Sequence, residues 1–468
     1  MMPNAHPDLW QRYQATKAAS TAKYARDIAA EMGISEAELT AARLGHDAVR
    51  LSDDARALIA ALERVGETKC ICRNEYAVHE QVGQFTHQHL SGHAGLVLNP
   101  RALDLRLFLS QWASAFHLND NGRQSIQFFD HHGDALLKVY ATTQTDMTAW
   151  ETLIAEYRVA APAPLTLRPL EPVKYADTAD GAALENDWRA MTDVHQFFGL
   201  LRKYQLSRQQ AFRLVSDDLA CRVDRHALPS LLETVRQEGN EIMIFVGNRG
   251  CVQIFTGALE KLAPMRGWLN IFNTTFTLHL REESVDEVWV TRKPTSDGHV
   301  TSVELFAKDG TQIAQLYGQR SEGHPEQTQW RQQLQQQIAA IPTQPVAKRV
   351  LFILSHGGMN TLVAGQHTAA DGAIRAAGLQ NAMQGFDHYR AMSQEGVAAS
   401  QADLVVISAD GLKGMGGEAG LWKLPGLAQT PAGRHKQLLT IDDMALLGFG
   451  PRTPQAIIAL RNKAEQLP

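Results

Sequence analysis

The chain has 468 residues, of which 44% are hydrophobic and 20% charged, and its formal net charge is −5 at pH 7. At about 100–200 residues per domain, this length predicts two to four domains, and the ordinary composition excludes disordered, collagen-like and low-complexity proteins. The negative charge argues against a general binder of nucleic acid or anionic membranes, although it leaves room for a local basic pocket.

The number of cysteines and the length of the apolar runs indicate the cellular compartment in which the protein works. The four cysteines are too few and too irregular for a disulfide framework, and Cys70-x-Cys72 has no second Cys or His pair at zinc spacing. We therefore expect Cys70 and Cys72 to be buried strand residues. No apolar run reaches the roughly 18–20 residues that span a bilayer, and no secretory signal is visible. These features predict a reduced, cytoplasmic protein that is not embedded in a membrane.

The first organisational feature is an internal duplication. Residues 66–85 and 239–259 each read as two short strands around an Asn-containing turn. Residues 124–140 and 301–317 each read as a strand, a turn closing on Gly and a second strand ending in Tyr. In addition, Gly-Ile-Ser and Gln-Leu-Ser each precede a predicted helix with Ser at the N-cap. The copies are too far apart for a solenoid repeat, so we predict a duplicated domain.

Each half has helices first, then antiparallel strands and a closing helix that carries a Trp. This order predicts an α+β fold in which each half is a large antiparallel sheet with helices. We place the N-terminal repeat at 1–160, a Pro- and Ala-rich linker at 161–185 and the C-terminal repeat at 186–340.

The pattern changes after a break at 338–348. VLFILS is a short, fully apolar strand followed by a Gly-rich turn, and ADLVVIS and KQLLTID are further strands of the buried type. This alternation of strands and helices predicts an appended α/β half-domain with a parallel sheet at 348–468.

A histidine lies within the apolar stripe of a predicted helix at 186–204. Trp188, Met191, His195 and Phe198 fall on one face of that helix. Such a histidine is either a core residue bonded to the backbone or an axial ligand that a helix presents to haem iron. Spacing alone leaves both interpretations open.

Haem also carries two propionates, so a haem slot needs cations at its mouth. Arg208, Lys293 and Arg320 are candidates, because each lies at the start of a helix or the end of a strand. Arg106 differs from them, since alternation places it with Asp104 and Phe108 on one face of a strand. No GxSxG, Walker A or GxGxxG motif follows a strand, so hydrolase, NTPase and dinucleotide-binding functions lack support.

Long and unusual motifs extend over about residues 8–340, among them GETKCICRNEYAVHEQVG, NPRALDLRLFLSQWAS, DWRAMTDVHQFF, NEIMIFVGNRGCVQIFTG and EVWVTRKPTSDGHVTS. Together they closely resemble the cytoplasmic haemin-degrading and haem-trafficking family of HemS type. The resemblance implies a duplicated α+β protein that binds one haem b between the sheet and helices of the C-terminal half.

The resemblance also implies roles for individual residues. His195 would be the proximal iron ligand, and Arg106 would reach the distal side with Phe108 beside it. The residues that would line the pocket or meet the propionates are Arg208, Lys293, Gln315, Tyr317 and Arg320. The implied reaction is an oxidative opening of the haem ring with an external reductant. The alternative is a carrier or buffer that receives imported haem and delivers it to acceptors.

The implied partners are haem, a haem ABC importer on its cytoplasmic side and an electron donor. The tail motifs AGQHTAADGAIRAAGLQNAM and LLGFGPRTPQAI resemble the C-terminal lobe of periplasmic haem-binding proteins of such importers. Those proteins hold their ligand between two lobes, whereas this tail has one. His367 and Tyr389 are candidate ligands, but we expect the single lobe to bind nothing tightly and assign it no activity.

Overall fold

A computed structural model describes residues 7–22, 24–337, 346–355, 361–441 and 453–468. The chain forms two compact units. The first comprises Met1–Leu214, Glu238–Asp286 and Lys293–Glu326, and the second comprises Val215–Gln237, Glu287–Arg292 and Gln327–Pro468. Most of the predicted break at 338–348 and the Gly-rich turn after VLFILS lie outside the described residues.

The elements up to the middle of the chain follow the predicted order of helices and strands. They are α1 (Pro7–Ala19), α2 (Ala25–Met32), α3 (Glu36–Ala42), β1 (Ala48–Leu51), α4 (Ala55–Leu62), β2 (Gly66–Arg73), β3 (Ala77–Gln84), β4 (Gln88–His89), β5 (Gly95–Leu98), β6 (Asp104–Leu107), β7 (Trp112–Asp120), β8 (Arg123–Asp130), β9 (Ala135–Thr145) and α5 (Met147–Tyr157).

The same order recurs after the predicted linker, within which α6 already begins. The elements are α6 (Gly181–Arg189), α7 (Gln196–Tyr204), α8 (Arg208–Leu214), β10 (Ala220–Val223), α9 (Leu228–Glu238), β11 (Ile242–Gly247), β12 (Cys251–Gly257), β13 (Trp268–Phe272), β14 (Phe276–Arg281), β15 (Val285–Thr295), β16 (Gly298–Ala307), β17 (Gln312–Gly318) and α10 (Thr328–Gln337).

The two predicted helix starts are confirmed, and both use a capping box. Ser35 accepts a hydrogen bond from the backbone N–H of Glu38, whose carboxylate accepts the N–H of Ser35. Ser207 and Gln210 repeat this exchange at the start of α8, with distances of 3.2 and 2.9 Å. Each box satisfies backbone donors that the first helical turn leaves unpaired.

The duplicated halves exchange strands between their sheets, which the sequence did not reveal. Among the described residues, one sheet has the order β1-β7-β8-β9-β2-β3-β14-β13, so its last two strands come from the C-terminal half. A second sheet of the first unit runs β16-β17-β11-β12-β6-β5-β4, so its last three strands come from the N-terminal half. The exchange places β6, and with it Arg106, in the sheet of the C-terminal half.

Equivalent asparagines of the two repeats connect the halves. The Asn74 amide donates to the carbonyls of Gly247 and Ile313 at 3.2 and 3.0 Å. Reciprocally, the Asn248 amide donates to the carbonyls of Arg73 and Leu136 at 3.0 and 2.9 Å. Each turn therefore satisfies backbone acceptors of the other half.

The core beside these turns is apolar and contains the predicted buried thiols. Cys70 and Cys72 are fully buried, as expected, and they belong to one cluster with Cys251, Leu105 and Leu107. Burial raises the pKa of Cys70 to about 12, so its thiol stays protonated. These cysteines are structural residues.

The C-terminal part of the second unit has the predicted α/β character. Its elements are β18 (Arg349–Leu354), β19 (Leu362–Ala364), α11 (Ala369–Ala376), β20 (Gln380–Asn381), β21 (Tyr389–Ala391), α12 (Gln394–Ser400), β22 (Leu404–Ser408), α13 (Ala409–Gly414), α14 (Glu418–Leu421), α15 (Pro431–His435), β23 (Leu438–Ile441) and α16 (Thr453–Glu465). The three predicted strands are β18, β22 and β23, and they pair in parallel.

Candidate functional site

Several predicted site residues lie on one face of the second sheet. Arg106 on β6 pairs with Val252 on β12, which pairs with Gly247 on β11. Two residues from Gly247, Phe245 pairs with Gln315 on β17. Because paired residues and residues two apart point to the same side of a sheet, this face can be followed across five strands. We call it the site face, and it carries Arg106, Val252, Phe245, Gln315, Tyr317, Ser302 and Glu304.

A fully buried carboxylate, which the sequence analysis missed, organises one end of the site face. Glu304 Oε1 accepts hydrogen bonds from Arg208 Nε and Gln312 Nε2, both at 2.8 Å. Glu304 Oε2 accepts from Lys293 Nζ at 3.0 Å and from Ser302 Oγ at 2.9 Å. We call these five residues the Glu304 cluster. A charged residue between the apolar residues of the segment VELFA was the available sequence signal.

Burial and charge act in opposite directions on the Glu304 cluster. Burial by itself raises the pKa of Glu304, but the charges of Arg208 and Lys293 outweigh it and hold that pKa well below its ordinary value. Burial lowers the pKa of Lys293 to about 8, against the opposing effect of Glu304. Lys293 is only 2% exposed, so it stabilises the site face from the protein interior through its bond to Glu304.

An aromatic ring on α7 contacts both cations at this end of the site face. The Phe197 ring centroid lies 4.9 Å from Arg208 Cζ and 5.0 Å from Lys293 Nζ. Such cation–π contacts stabilise the cations where water is excluded. Because Phe197 is buried on α7, the contact fixes the segment that carries His195.

The helix predicted over 186–204 is wrong, because the chain leaves the helical path between α6 and α7. Trp188 and Met191 are buried as predicted, but His195 and Phe198 are exposed, so the four residues do not form one buried stripe. The reason is local capping, since Gln196 Oε1 accepts the backbone N–H of Thr192 at 2.9 Å. Side-chain bonds of this kind compete with helical backbone bonds.

His195 therefore directly precedes α7 as its exposed N-cap residue instead of lying within a helix. Its side chain is 89% exposed, and its Nδ1 lies 2.7 Å from Asp193 Oδ1. The same oxygen accepts the backbone N–H of His195 at 2.8 Å, which holds the pKa of Asp193 below its ordinary value. A carboxylate can only accept, so Nδ1 is the donor of this bond, and in the neutral imidazole the lone pair then lies on Nε2.

Arg106 is held at the other end of the site face. Its Nη1 donates to Asp104 Oδ1 at 2.6 Å and to the Leu105 carbonyl at 3.1 Å. Asp104 is almost fully buried, and burial raises its pKa. The Arg106 side chain is 30% exposed, so it is both held in place and accessible. Phe108 follows β6 and is half-buried.

Polar and aromatic side chains occupy the middle of the site face. The Tyr317 hydroxyl donates to Gln315 Oε1 at 2.8 Å, and Gln315 Nε2 donates to Gln312 Oε1 at 2.8 Å. The Tyr317 ring centroid lies 5.2 Å from that of Phe245. Burial raises the pKa of Tyr317, so its hydroxyl remains a donor. These bonds link the middle of the site face to the Glu304 cluster.

The remaining candidates lie outside the strands of the site face. Arg320 follows β17, and its Nη2 donates to Asp297 at 3.4 Å. In the second unit, His367 is exposed with its Nδ1 2.8 Å from Asp387 Oδ1, and Tyr389 begins β21. Across the described ranges, no three His, Cys, Asp or Glu side chains are grouped to hold a metal ion. The same ranges contain no helix long and apolar enough to cross a membrane.

Comparisons with known proteins agree with the duplication and find a second family over the C-terminal part of the chain. The family model described as "Haemin-degrading HemS.ChuX domain" matches residues 33–157 and again 205–337. A "Periplasmic binding protein" model matches residues 283–445. The duplication and the resemblance of the C-terminal region to periplasmic binding proteins, both predicted from the sequence, are thus confirmed.

Individual relatives are similar to different shares of the chain. Hemin transport protein HmuS of Yersinia pestis is 63% identical over 331 residues, which cover 70% of this chain and 96% of HmuS. The haem-degrading enzyme ChuS of Escherichia coli O157:H7 is 64% identical, with a TM-score of 0.68 over 71% of this chain and 99% of ChuS. The periplasmic haem-binding protein BhuT is 51% identical over 26% of this chain and 45% of BhuT, with a TM-score of 0.24.

Proposed function

Because the chain belongs to the haemin-degrading HemS family, we propose that it binds haem b through His195 and opens the ring oxidatively. The oxidant is dioxygen, and the electrons come from an external donor. The observation that carries this proposal is His195 itself: an exposed imidazole whose Nδ1 is bonded to Asp193 and whose Nε2 is available to iron. Histidines that bind metals commonly donate their second N–H to such a carboxylate.

The site face supplies contacts for a flat molecule with acidic edges. Phe245 and Tyr317 are half-buried aromatic residues at its centre. Arg208 uses its Nε for Glu304, which leaves its Nη atoms to meet a propionate, and its side chain is 23% exposed. Arg320 is a second propionate contact. Lys293 acts through Glu304, because it is too buried to touch the substrate.

We assign Arg106 to the distal side of the haem, with Phe108 beside it. Its guanidinium is fixed by Asp104 and stays accessible, so it can donate to negative charge that develops on the oxygen side of the ring. A donor held in place before the reaction needs little reorganisation, which is how fixed groups lower a barrier. His195 holds the iron on the opposite side, and the substrate's iron provides the oxygen chemistry.

The alternative function is haem carriage without ring opening. One observation favours it: the site is open, since His195 is 89% exposed, and an open site suits transfer to an acceptor. The relative HmuS is named a hemin transport protein, whereas ChuS is named a haem-degrading enzyme. We propose degradation as the first function, because a carrier has no need of Arg106 fixed by a buried carboxylate.

We place the protein in the cytoplasm, where it receives haem from an ABC importer and electrons from a reductase-type donor. The free thiols Cys70, Cys72 and Cys251 suit a reducing compartment. The tail receives no activity in this proposal.

The test is a turnover assay on the full chain with catalase present. Catalase is required because peroxide formed in solution bleaches haem without an enzyme. With reductant and dioxygen, we expect the Soret band to disappear and iron to reach a ferrous chelator. A Soret band that persists while haem passes to apomyoglobin would establish the carrier instead.

His195→Ala tests the ligand within the same assay. We expect its Soret band to lose the signature of histidine ligation, while the exposed tail variant His435→Ala keeps it. Unchanged ligation in His195→Ala would refute the assignment.

A further inference from the structure

The loop between α6 and α7 is built around the bond between Asp193 and His195. Asp193 Oδ1 accepts two hydrogen bonds from one residue, from the backbone N–H of His195 at 2.8 Å and from its Nδ1 at 2.7 Å. These two bonds fix both the backbone and the ring of His195. An exposed side chain without such bonds would rotate among its rotamers.

The loop is in turn anchored to neighbouring elements. Gln196 Oε1 accepts the backbone N–H groups of Thr192 and Asp193 at 2.9 and 3.3 Å. The backbone N–H of Ser296, between β15 and β16, donates to the Thr192 carbonyl at 2.8 Å. Asp193 therefore lies in a segment that is held by hydrogen bonds, and its own bond to Nδ1 orients the His195 ring.

We propose that Asp193 is a positioning residue that directs Nε2 of His195 to the haem iron and strengthens the electron donation of that nitrogen to the iron. This inference rests on the proposed function, because it takes His195 as the iron ligand. A carboxylate that accepts the Nδ1 proton gives the imidazole partial imidazolate character, which favours ferric over ferrous iron. The effect grows once haem covers the pair, since hydrogen bonds to charge strengthen where water is excluded.

The test compares Asp193→Asn with wild type in the full chain loaded with haem. The amide preserves shape and can still accept from His195, but it removes the charge. We expect ferric haem to dissociate about 10–100-fold faster, as for other outer-shell partners of metal-binding histidines. If the affinity for ferric haem falls tenfold and the affinity for ferrous haem is unchanged, the one-electron reduction potential rises by about 59 mV.

Two further variants separate an electronic role from a structural one. Asp193→Glu keeps the charge, so its reduction potential should lie closer to wild type than that of Asp193→Asn. The matched control is Asp187→Asn, because Asp187 is an exposed carboxylate on α6 that accepts from Lys203 and Tyr204 at 2.8 and 2.6 Å. It should leave potential and dissociation rate unchanged.

The outcomes distinguish this inference from the proposed function. If His195→Ala keeps normal ligation, the proposed function is refuted, because His195 is then not the iron ligand. If His195→Ala loses it while Asp193→Asn keeps the wild-type potential and dissociation rate, the proposed function stands and the inference is overturned. A fall in the melting temperature of the haem-free Asp193→Asn protein, with no change in potential, would show a purely structural role and also overturn it.

Discussion

Arg208 donates its Nε hydrogen to Glu304 across 96 residues of sequence, at 2.8 Å. This bond joins the first turn of α8 to the middle of a strand, and Glu304 is fully buried at the point where they meet. The same carboxylate holds Lys293, so one internal anion fixes two cations, one at each of its oxygens. Two of the basic residues of the candidate site are thus arranged by a residue that is itself inaccessible to a ligand.

Replacing this anion should destabilise the first unit strongly. Glu304→Gln keeps the shape but leaves two cations beside Phe197 without a counter-charge, and breaking a buried pair typically costs about 3–5 kcal/mol. Urea unfolding followed by circular dichroism should show the lower midpoint. The matched control is Glu241→Gln, whose exposed pair with Arg101 should cost about 1 kcal/mol or less. Equal effects of the two changes would contradict the role given to Glu304.

The Glu304 cluster should also leave a signature in the pH dependence of stability. Burial lowers the pKa of Lys293 from 10.5 to about 8, so the unfolded chain binds more protons between those values. Stability contributed by this residue therefore rises with pH from about 8 to 10.5, because the penalty for burying the charge disappears. We expect wild type to gain free energy of unfolding over this range relative to Lys293→Met. Parallel pH profiles of the two proteins would be inconsistent with the lowered pKa.

Arg106→Ala should separate haem binding from ring opening. We expect haem affinity within a few-fold of wild type, because His195 and the site face remain. The turnover rate should fall by about 10²–10³-fold, the usual effect of removing one fixed donor from a reacting centre. The catalase-controlled assay measures both. The control is Arg101→Ala, because Arg101 is an exposed arginine that precedes the same strand, and this variant should turn haem over at the normal rate. Full activity of Arg106→Ala would show that Arg106 has no role on the distal side.

The strand exchange should be sensitive to a single methyl group on β3. A Cβ at Gly83 would lie 2.9 Å from Leu103 Cβ and 3.1 Å from Leu103 N, just before β6. Gly83→Ala should destabilise by about 1–3 kcal/mol through overpacking, and by displacing β6 it should also slow turnover. The control is Gly199→Ala on α7, which meets no atom within 4 Å and should stabilise by about 0.5–1 kcal/mol as an exposed helical position. Thermal melting and the turnover assay check both changes, and an unaffected Gly83→Ala would show that β6 has room to adjust.

Local features of the fold were predictable because they depend on neighbours in sequence. The capping serines, the buried C-x-C strand and the parallel strands of the tail follow from spacing, side-chain alternation and apolar runs. The duplication was visible as well, since the two copies keep the same turns. The helix at 186–204 failed because Gln196 caps the backbone ahead of α7, and a hydrophobic stripe contains no information about that competing bond.

By itself, the sequence determined that the protein is a duplicated α+β chain with an α/β tail, and it supplied His195, Arg106 and Arg208 as candidates. Only the tertiary structure decided that β6 crosses into the sheet of the other half, and that Glu304 is the anion to which Arg208 and Lys293 both bind. The physical reason is that backbone pairing and burial connect residues by distance in space. A strand pattern specifies which side of a strand is apolar, but not which sheet will accept that strand.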